Sequence, residues 1–273
     1  MKTRLKHIIV LIMAAWLLSS CTLERKLALD FIEGSGRGTP IMLVPPQILY
    51  MYNNKALVDY NQADADSLSF FSSKYLQYIS DSTFMENYMN AFIEKAYASG
   101  LNIYLPHQLN QFLKEERHAY IVRIANMELS EDSITWEIEE QANFRKINKE
   151  INANQLILST WFEISEKDSV SYFTYFDEHY IADELSGEFY QNNWTLDVSY
   201  DYSIYDLEEN DIYQFATLMG QTHASYVFDL ILNTYIWNHL HPEKRGNYHY
   251  LHYNAEYHSI EIADDAFIML ENE

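Results

Sequence analysis

The spacing of apolar residues predicts a strand and a helix early in the chain. Ile41 to Val44 is a continuous apolar run ended by two prolines, which is typical of a buried central strand. Between Thr83 and Ala98 apolar residues recur every three or four positions, which indicates a helix with one buried face. Gly100 suits the end of that helix. A second strand at 101–105 and a short helix at 106–116 are expected to follow.

From Ala119 onward, apolar and polar residues alternate, which indicates half-buried strands. The alternation predicts strands at residues 120–125, 134–139, 156–164, 170–176 and 194–202. The polar run Ser130-Glu131-Asp132-Ser133 predicts a turn between the first two of these strands. Residues 140–154 are expected to form a polar connection that is partly helical.

The last part of the chain returns to helical spacing. A long helix is expected there, with acidic residues crowded at its start, where the helix dipole favours negative charge. Gly220 is a candidate break within this helix, and His258 to Ile262 is the last predicted strand. This order of elements predicts an α+β fold, with a mixed sheet, helices on one face and a long C-terminal helical segment. The buried face of the long helix is predicted to hold Ile212, Phe215, Met219, Tyr226, Leu230 and Trp237.

The start of the chain has the three regions of an export signal. Lys2, Arg4 and Lys6 precede an uncharged apolar run from Ile8 to Leu18. The sequence Leu18-Ser19-Ser20-Cys21 resembles the bacterial lipobox. The resemblance implies that residues 1–20 are removed and that Cys21 becomes a lipidated N-terminus. Since one acyl chain binds membranes only marginally, the two or three chains of such an anchor are expected to hold the protein there.

These features divide the chain into four predicted parts. Residues 1–20 are the signal peptide, and residues 21–40 are the lipidated N-terminus and a flexible linker. Within that linker a short helix is expected at 23–33, followed by a hinge that holds three of the seven glycines. Residues 41–205 are the α+β domain. Residues 206–273 are a C-terminal helical segment and a tail rich in Tyr and His, packed on the same domain.

The net charge and the cysteine count of the chain limit the kinds of partner and chemistry that are expected. The chain has 18 Lys and Arg against 40 Asp and Glu, a net charge of −22. The signal holds three of the basic residues and no acidic one, so removing it leaves 15 against 40, or −25. Such a surface repels phosphate backbones, which argues against a nucleic-acid partner. Cys21 is also the only cysteine, so its lipidation excludes thiolate catalysis, thiolate metal sites and disulfides.

Histidines are concentrated near the C-terminus and suggest one speculative site. His239, His241, His249, His252 and His258 lie within 20 residues, and neutral imidazole is a common metal ligand. The first four could form a metal site, although the tyrosines between them favour a packing surface. Metal binding is therefore the less favoured interpretation, and no cofactor other than the lipid is expected.

Aromatic residues between Tyr172 and Tyr180 and between Tyr200 and Tyr205 suggest a second speculative site. Such a surface can stack sugars or peptides. In antiparallel strands, however, alternating aromatic residues are more often cross-strand packing pairs. The packing interpretation is therefore preferred. No motif of a serine hydrolase, a zinc protease, a nucleotide-binding loop or an EF-hand is present in the sequence.

Residues 41–176 are similar to the small domain shared by curli-secretion, TolB amino-terminal and YajG-type envelope lipoproteins. The matching features are the apolar strand ending Val44-Pro45-Pro46, the helix closed by Gly100 and the hairpins after Ala119. The opening Arg25-Lys26-Leu27-Ala28 through Phe31-Ile32 also resembles uncharacterised lipoproteins of Bacteroidota. The resemblance implies a fold and an envelope location and carries no catalytic residues.

Three functions stay open on the sequence alone. The leading hypothesis is a non-enzymatic assembly or accessory factor of an envelope complex, held by its lipid beside a protein partner. A binding module for glycan, peptide or metal is the alternative, and a carboxylate-dependent hydrolase is the second alternative. Thr22 is not the Asp that retains lipoproteins at the inner membrane, and no acidic surface-export run follows it. The outer membrane, facing the periplasm, is therefore the expected location.

Overall fold

The computed structural model describes residues 23–55, 73–142, 145–191, 194 and 198–270. The predicted signal peptide and Cys21 lie outside these residues. Within them the chain has an α+β fold in which a mixed sheet packs against helices, which confirms the predicted class. In chain order the elements are α1 (Leu23–Asp30), β1 (Thr39–Val44), β2 (Tyr50–Asn53), α2 (Asp81–Ala98), β3 (Leu101–Tyr104), α3 (Leu109–Phe112), β4 (Tyr120–Ala142), β5 (Arg145–Glu166), β6 (Phe173–Ala182), β7 (Glu184–Gln191), β8 (Val198–Tyr205), α4 (Glu209–His239), β9 (Leu251–Asn254), β10 (Ser259–Ile262) and β11 (Ile268–Leu270).

The main sheet has the strand order β3-β1-β4-β5-β6-β11, and β2 also pairs with β4. Strands β3, β1 and β4 are parallel, whereas β5, β6 and β11 continue the sheet in antiparallel fashion. β1 and β2 lie one after the other along the same edge of β4, separated by Pro45 and Pro46, which have no N–H to donate. The predicted central strand at 41–44 is therefore confirmed.

One face of this sheet is covered by α2 and α4. Ile41, Val122 and Phe162 belong to the core on this face, together with the fully buried Phe84 and Phe92 of α2. The two helices approach most closely at Gly220, where an added Cβ would lie 2.2 Å from the backbone oxygen of Tyr88. Gly220 therefore allows contact between helix backbones, and α4 continues through it without the predicted break.

The opposite face is covered at one end by the short helix α3. Met42, Phe112 and Ala119 are buried there and form a separate apolar cluster. β1 is consequently buried on both faces, because its alternate residues Ile41 and Leu43 belong to the main core. This double burial is the physical reason why its sequence is continuously apolar.

The segment between α1 and β1 differs from the predicted flexible hinge. Residues 31–35 continue α1 as a wider helical turn, and Phe31 is buried in the main core. An added Cβ at Gly36 would lie within 2.5 Å of the Phe31 ring, and Gly38 has φ +73°. Gly36 therefore serves close packing against Phe31, and Gly38 allows a left-handed turn. Arg117 also donates to the Gly38 carbonyl at 2.7 Å.

β4 and β5 form one hairpin far longer than the sequence predicted. Their pairing runs from Tyr120 opposite Glu166 to Ala142 opposite Arg145, with one irregularity at Ile124/Asn126. The predicted turn at 130–133 and the predicted connection at 140–154 are wrong, because residues 130–133, 140–142 and 145–154 lie within this ladder. β7 was not predicted, and it pairs with β8 in a second hairpin. We call residues 132–142 and 145–154 together with β7 and β8 the hairpin extension.

Candidate functional site

A cavity of about 410 Å³ lies between the start of β4 and the last turns of α4. We call it the Arg117 cavity. Phe31 and Tyr235, whose ring centroids are 5.0 Å apart, form part of its apolar wall. Its polar side chains include Arg117, His118 and His239. Its volume is in the range of small-molecule sites, which are mostly apolar with a few polar groups.

A second cavity of about 340 Å³ lies beside the first. We call it the Glu166 cavity. The two share Tyr120, Ile231 and Thr234 in their walls, so these residues stand where the cavities meet. Phe173 adds apolar surface to the second cavity, and Glu166 is its acidic residue. The two cavities lie between α4 and the edge of the sheet formed by the start of β4, the end of β5 and the start of β6.

The basic side chains of the Arg117 cavity are fixed by contacts within the fold. Arg117 donates to both carboxylate oxygens of Glu115, at 3.2 to 3.3 Å, in addition to Gly38. His118 places Nε2 at 2.9 Å from the Tyr120 hydroxyl and at 3.6 Å from Glu166. His239 donates from Nδ1 to the Tyr235 carbonyl at 2.8 Å. Nε2, the other ring nitrogen of His239, takes no part in this bond.

A chain of hydrogen bonds lies deep in the main core, on the same face of the sheet. The fully buried His223 of α4 has its Nε2 at 2.6 Å from Asp177 of β6 and its Nδ1 at 2.6 Å from the Tyr88 hydroxyl of α2. Burial lowers the pKa of His223, which favours the neutral ring. Nε2 then carries the hydrogen and donates to Asp177, and Nδ1 accepts from Tyr88.

The chain continues toward the surface through His179. Although burial opposes it, His223, which donates to Asp177, and the nearby His179 together lower the pKa of Asp177 to about 2. The same carboxylate, 3.3 Å away, raises the pKa of His179. Asp265, which lies before β11, accepts from the Tyr226 hydroxyl at 2.8 Å. These groups can hold and exchange protons, and they fasten α2, α4, β6 and the C-terminal segment to one another.

The four histidines of the proposed metal site serve different parts of the structure. His252 of β9 donates to Asp229 of α4 at 2.6 Å, and this contact raises the pKa of His252. His239 bonds its own helix, whereas His241 and His249 are exposed. Within the described ranges, no group of three His, Cys, Asp or Glu side chains is placed to hold one metal ion.

Asp229 and Asn233 dock the C-terminal strand β9 onto α4. Asp229 accepts from the backbone N–H of Tyr253 at 2.9 Å. Asn233 accepts from the N–H of Leu251 at 2.8 Å and donates to its carbonyl at 2.7 Å. The two side chains therefore satisfy the backbone of β9 as a neighbouring strand would, and His252 belongs to this joint.

A second polar joint lies where the hairpin extension leaves the body. Glu131 of β4 has no exposed surface and accepts from the backbone N–H groups of Lys74 and Tyr75 at 2.8 and 2.9 Å. The Lys55 ammonium pairs with the same carboxylate. Asp183, between β6 and β7, accepts from the Asn154 amide at 2.7 Å and from the Tyr75 hydroxyl. Both carboxylates thus hold connecting segments in place.

No model of a known protein family matches the chain, and no curated protein matches it either. The candidate sites therefore rest on their geometry. None of the buried carboxylates Glu131, Asp177, Asp183 and Asp229 lines either described cavity. No helix formed by the described residues combines the length and apolar character that a membrane crossing needs.

Sequence reasoning missed both cavities and the buried network. Arg117 and His118 adjoin a predicted strand but carry no motif, and their cavity partners lie more than a hundred residues away on α4. Asp177 and His179 do give a signal, because alternate polar residues interrupt an apolar strand. Since sequence alone does not show which strand face is covered, those residues resemble an ordinary solvated face.

Proposed function

We propose that this chain is a lipid-anchored, non-enzymatic accessory factor of a bacterial envelope complex, and that its hairpin extension contacts the partner protein. The observation that carries the proposal is the set of exposed aromatic side chains on the extension. Tyr190 is 64% exposed, and Tyr202 and Tyr205 are also exposed. Aromatic residues are enriched in the centres of protein interfaces, and exposed groups of them mark contact sites.

The attachment of the extension supports a role in recognition. The Glu131–Asp183 joint ties it to the body through backbone groups at several points. Within the β7–β8 hairpin, Phe189 and Tyr200 lie 4.7 Å apart and Tyr200 stacks on Tyr202 at 5.9 Å. Tyr202 therefore stands on an ordered base, which limits the entropy lost when a partner binds.

The charge of the extension indicates the chemistry of that partner. Its described side chains include two basic residues, Lys146 and Lys149. Against these stand the acidic residues Asp132, Glu137, Glu139, Glu150, Glu184, Glu188 and Asp201. We therefore expect a protein with a basic surface around an apolar patch, since complementary charge speeds encounter and excludes wrong partners.

Site-specific photo-crosslinking in the native envelope tests the partner. A photoreactive residue at Tyr190 or Tyr202 is expected to trap one membrane protein reproducibly. The matched control is Tyr257, which is 73% exposed but lies on the turn between β9 and β10. Equal trapping from Tyr257, or no reproducible partner from the extension, contradicts the proposal.

The anchor has its own test. Cys21→Ser is expected to abolish palmitate labelling and to move the protein from the membrane fraction to the soluble fraction, because the acyl chains supply the membrane affinity. Protease treatment of intact cells checks the orientation. We expect the domain to be protected at an outer membrane facing the periplasm, and its digestion in intact cells contradicts that location.

The second candidate function is a binding module for a small ligand. The adjoining Arg117 and Glu166 cavities favour it, since together they offer apolar walls with a few polar groups in each cavity. This candidate does not depend on the hairpin extension. The two functions are compatible in one protein, and separate variants test them.

A further inference from the structure

The Arg117 cavity and the Glu166 cavity differ in charge although they share a wall. Arg117, His118 and His239 line the first, and no acidic side chain does. Glu166 lines the second, and no basic side chain does. The chain has 40 acidic residues against 18 Lys and Arg, whereas the lining of this cavity holds Arg117 and two histidines and no acidic side chain. Arg117, which is also paired with Glu115, is the positive group at one end, and Glu166 disfavours a negative group at the other.

Apolar surface runs through both cavities. Phe31 and Tyr235 flank the Arg117 cavity, and Phe173 and Leu230 flank the Glu166 cavity. Ile231, which is buried on α4, belongs to both walls. An apolar chain passing from one cavity to the other would gain roughly 25 cal/mol for each Å² that it removes from water.

We infer that the two cavities form one site for an amphipathic anion, meaning an acyl chain with an acidic head group. The head lies in the Arg117 cavity, where Arg117 offers its remaining N–H groups and the imidazolium form of His239 can donate from Nε2. The acyl chain crosses the shared wall at Tyr120, Ile231 and Thr234 and ends in the Glu166 cavity. A free fatty acid and an anionic phospholipid share this chemistry, and the experiment separates them.

The position of the site suits such a ligand. Phe31 and Thr39 of its wall frame the turn that follows α1, and α1 begins two residues after Cys21. If Cys21 carries the anchor, this end of the domain lies close to the lipid surface. The inference itself rests on the cavity walls and stands without the anchor.

Binding is measured on residues 21–273 carrying Cys21→Ser, so that no acyl chain of the protein's own competes. All described elements lie within this chain. A fluorescent polyene fatty acid is the probe, displaced by dodecanoate and by dodecanol. We expect saturable binding, with dodecanoate displacing the probe at about threefold or more lower concentration than dodecanol, because an exposed charge pair contributes modestly to affinity. No saturable binding, or equal displacement by the two, overturns the inference.

Two variants locate the ligand. Thr234→Phe fills the shared wall and is expected to weaken the probe at least tenfold. His239→Gln is expected to weaken dodecanoate more than dodecanol, whereas the exposed His241→Gln, which lines neither cavity, is the matched control and leaves both unchanged. Thermal unfolding of each variant confirms that it is folded. Unchanged affinity in a folded Thr234→Phe protein overturns the inference.

Vesicle flotation identifies the source of the ligand. Binding to phosphatidylglycerol vesicles that Thr234→Phe and His239→Gln both weaken, with phosphatidylcholine vesicles unbound, supports an anionic phospholipid. Saturable dodecanoate binding without vesicle binding supports a free fatty acid. Vesicle binding that the two variants leave unchanged, without dodecanoate binding, overturns the site.

Discussion

The body and the hairpin extension use the same two strands in opposite ways. In the body, β4 buries Met127 and Leu129 beneath the helices, and β5 buries Leu156 and Leu158 on the same side. Beyond Glu131 the apolar residues of β4 lie on the opposite face of the strand. Ile134, Trp136 and Ile138 are half-buried there, and Ala153 and Ile151 of β5 are buried opposite them, with β8 lying against β5.

The pairing register shows no irregularity at this change of face, so no bulge produces it. Successive side chains of a strand point to opposite faces, and in β4 the apolar stripe changes sides across the polar run Ser130 to Ser133. Glu131, Asn154 and Asp183 occupy that crossing and form the polar joint. The paired strands β4 and β5 can thus contribute to two apolar clusters, one in the body and one in the extension, where hydrogen bonds satisfy the polar residues between them.

Among these variants, Gly220→Ala should lower the free energy of unfolding most, through the packing of the body. The new methyl carbon would lie 2.2 Å from the Tyr88 carbonyl oxygen, so α2 and α4 must separate. We expect a loss of roughly 3 kcal/mol or more in the free energy of unfolding, at the upper end for overpacked cores. Denaturant titration measures it. Gly246→Ala is the control, since nothing lies within 4 Å of its added Cβ, and equal stability of the two variants contradicts the packing described.

Glu131→Ala removes the central carboxylate of the polar joint between the body and the hairpin extension. It leaves the backbone N–H groups of Lys74 and Tyr75 without their acceptor and the Lys55 ammonium without its carboxylate. We expect a loss of about 3 kcal/mol, since breaking a buried pair and its hydrogen bonds costs this order.

Amide hydrogen exchange decides whether Glu131 is a joint. Protection should fall in the hairpin extension and at residues 73–79 more than in α2 and α4. Glu131→Gln, which keeps one acceptor oxygen, should lose less. Uniform loss of protection across the chain would mean that Glu131 supports the body as much as the extension.

Asp177→Asn weakens the body through its buried network, with an effect that depends on pH. The pKa of Asp177 falls from an ordinary 3.8 to about 2 in the folded protein. Its contribution, about 2 kcal/mol, is therefore present above pH 4 and is lost as the pH falls through 2. The stability gap between wild type and variant should narrow over that window in denaturant titrations. A constant gap, as expected for the exposed control Asp264→Asn, refutes the ionic role.

Sequence patterns predicted the body well because periodicity reports one buried face. The strand at 41–44, the helix ending at Ala98 and the long helix lie where the apolar spacing placed them. Gly220 was misjudged for a physical reason. Its missing side chain serves a close approach to a helix that is far away in sequence, and no local pattern reports that.

The extension was predicted poorly because its pattern is ambiguous. Ser130 to Ser133 is polar on successive positions, as a turn is, yet the run marks the crossing of the apolar stripe between faces. The candidate cavities were missed for a related reason, since Arg117 and His239 adjoin only after folding. Closeness in sequence also says little about the histidine cluster, because His239 bonds its own helix whereas His252 bonds Asp229 of α4.

The smallest change in stability and the sharpest change in function are expected at the surface of the extension. Tyr190→Ser with Tyr202→Ser removes two exposed rings and should alter the free energy of unfolding by less than about 1 kcal/mol, as usual for two surface positions. Crosslinking to the envelope partner, from a photoreactive residue at neighbouring Tyr205, should nevertheless fall severalfold, because aromatic anchors dominate binding energy at interfaces. If the trapped partner persists at full yield, contact lies elsewhere on the molecule. If stability falls as far as in Glu131→Ala, these rings belong to the small core of the extension, and the two regions differ less than their exposure indicates.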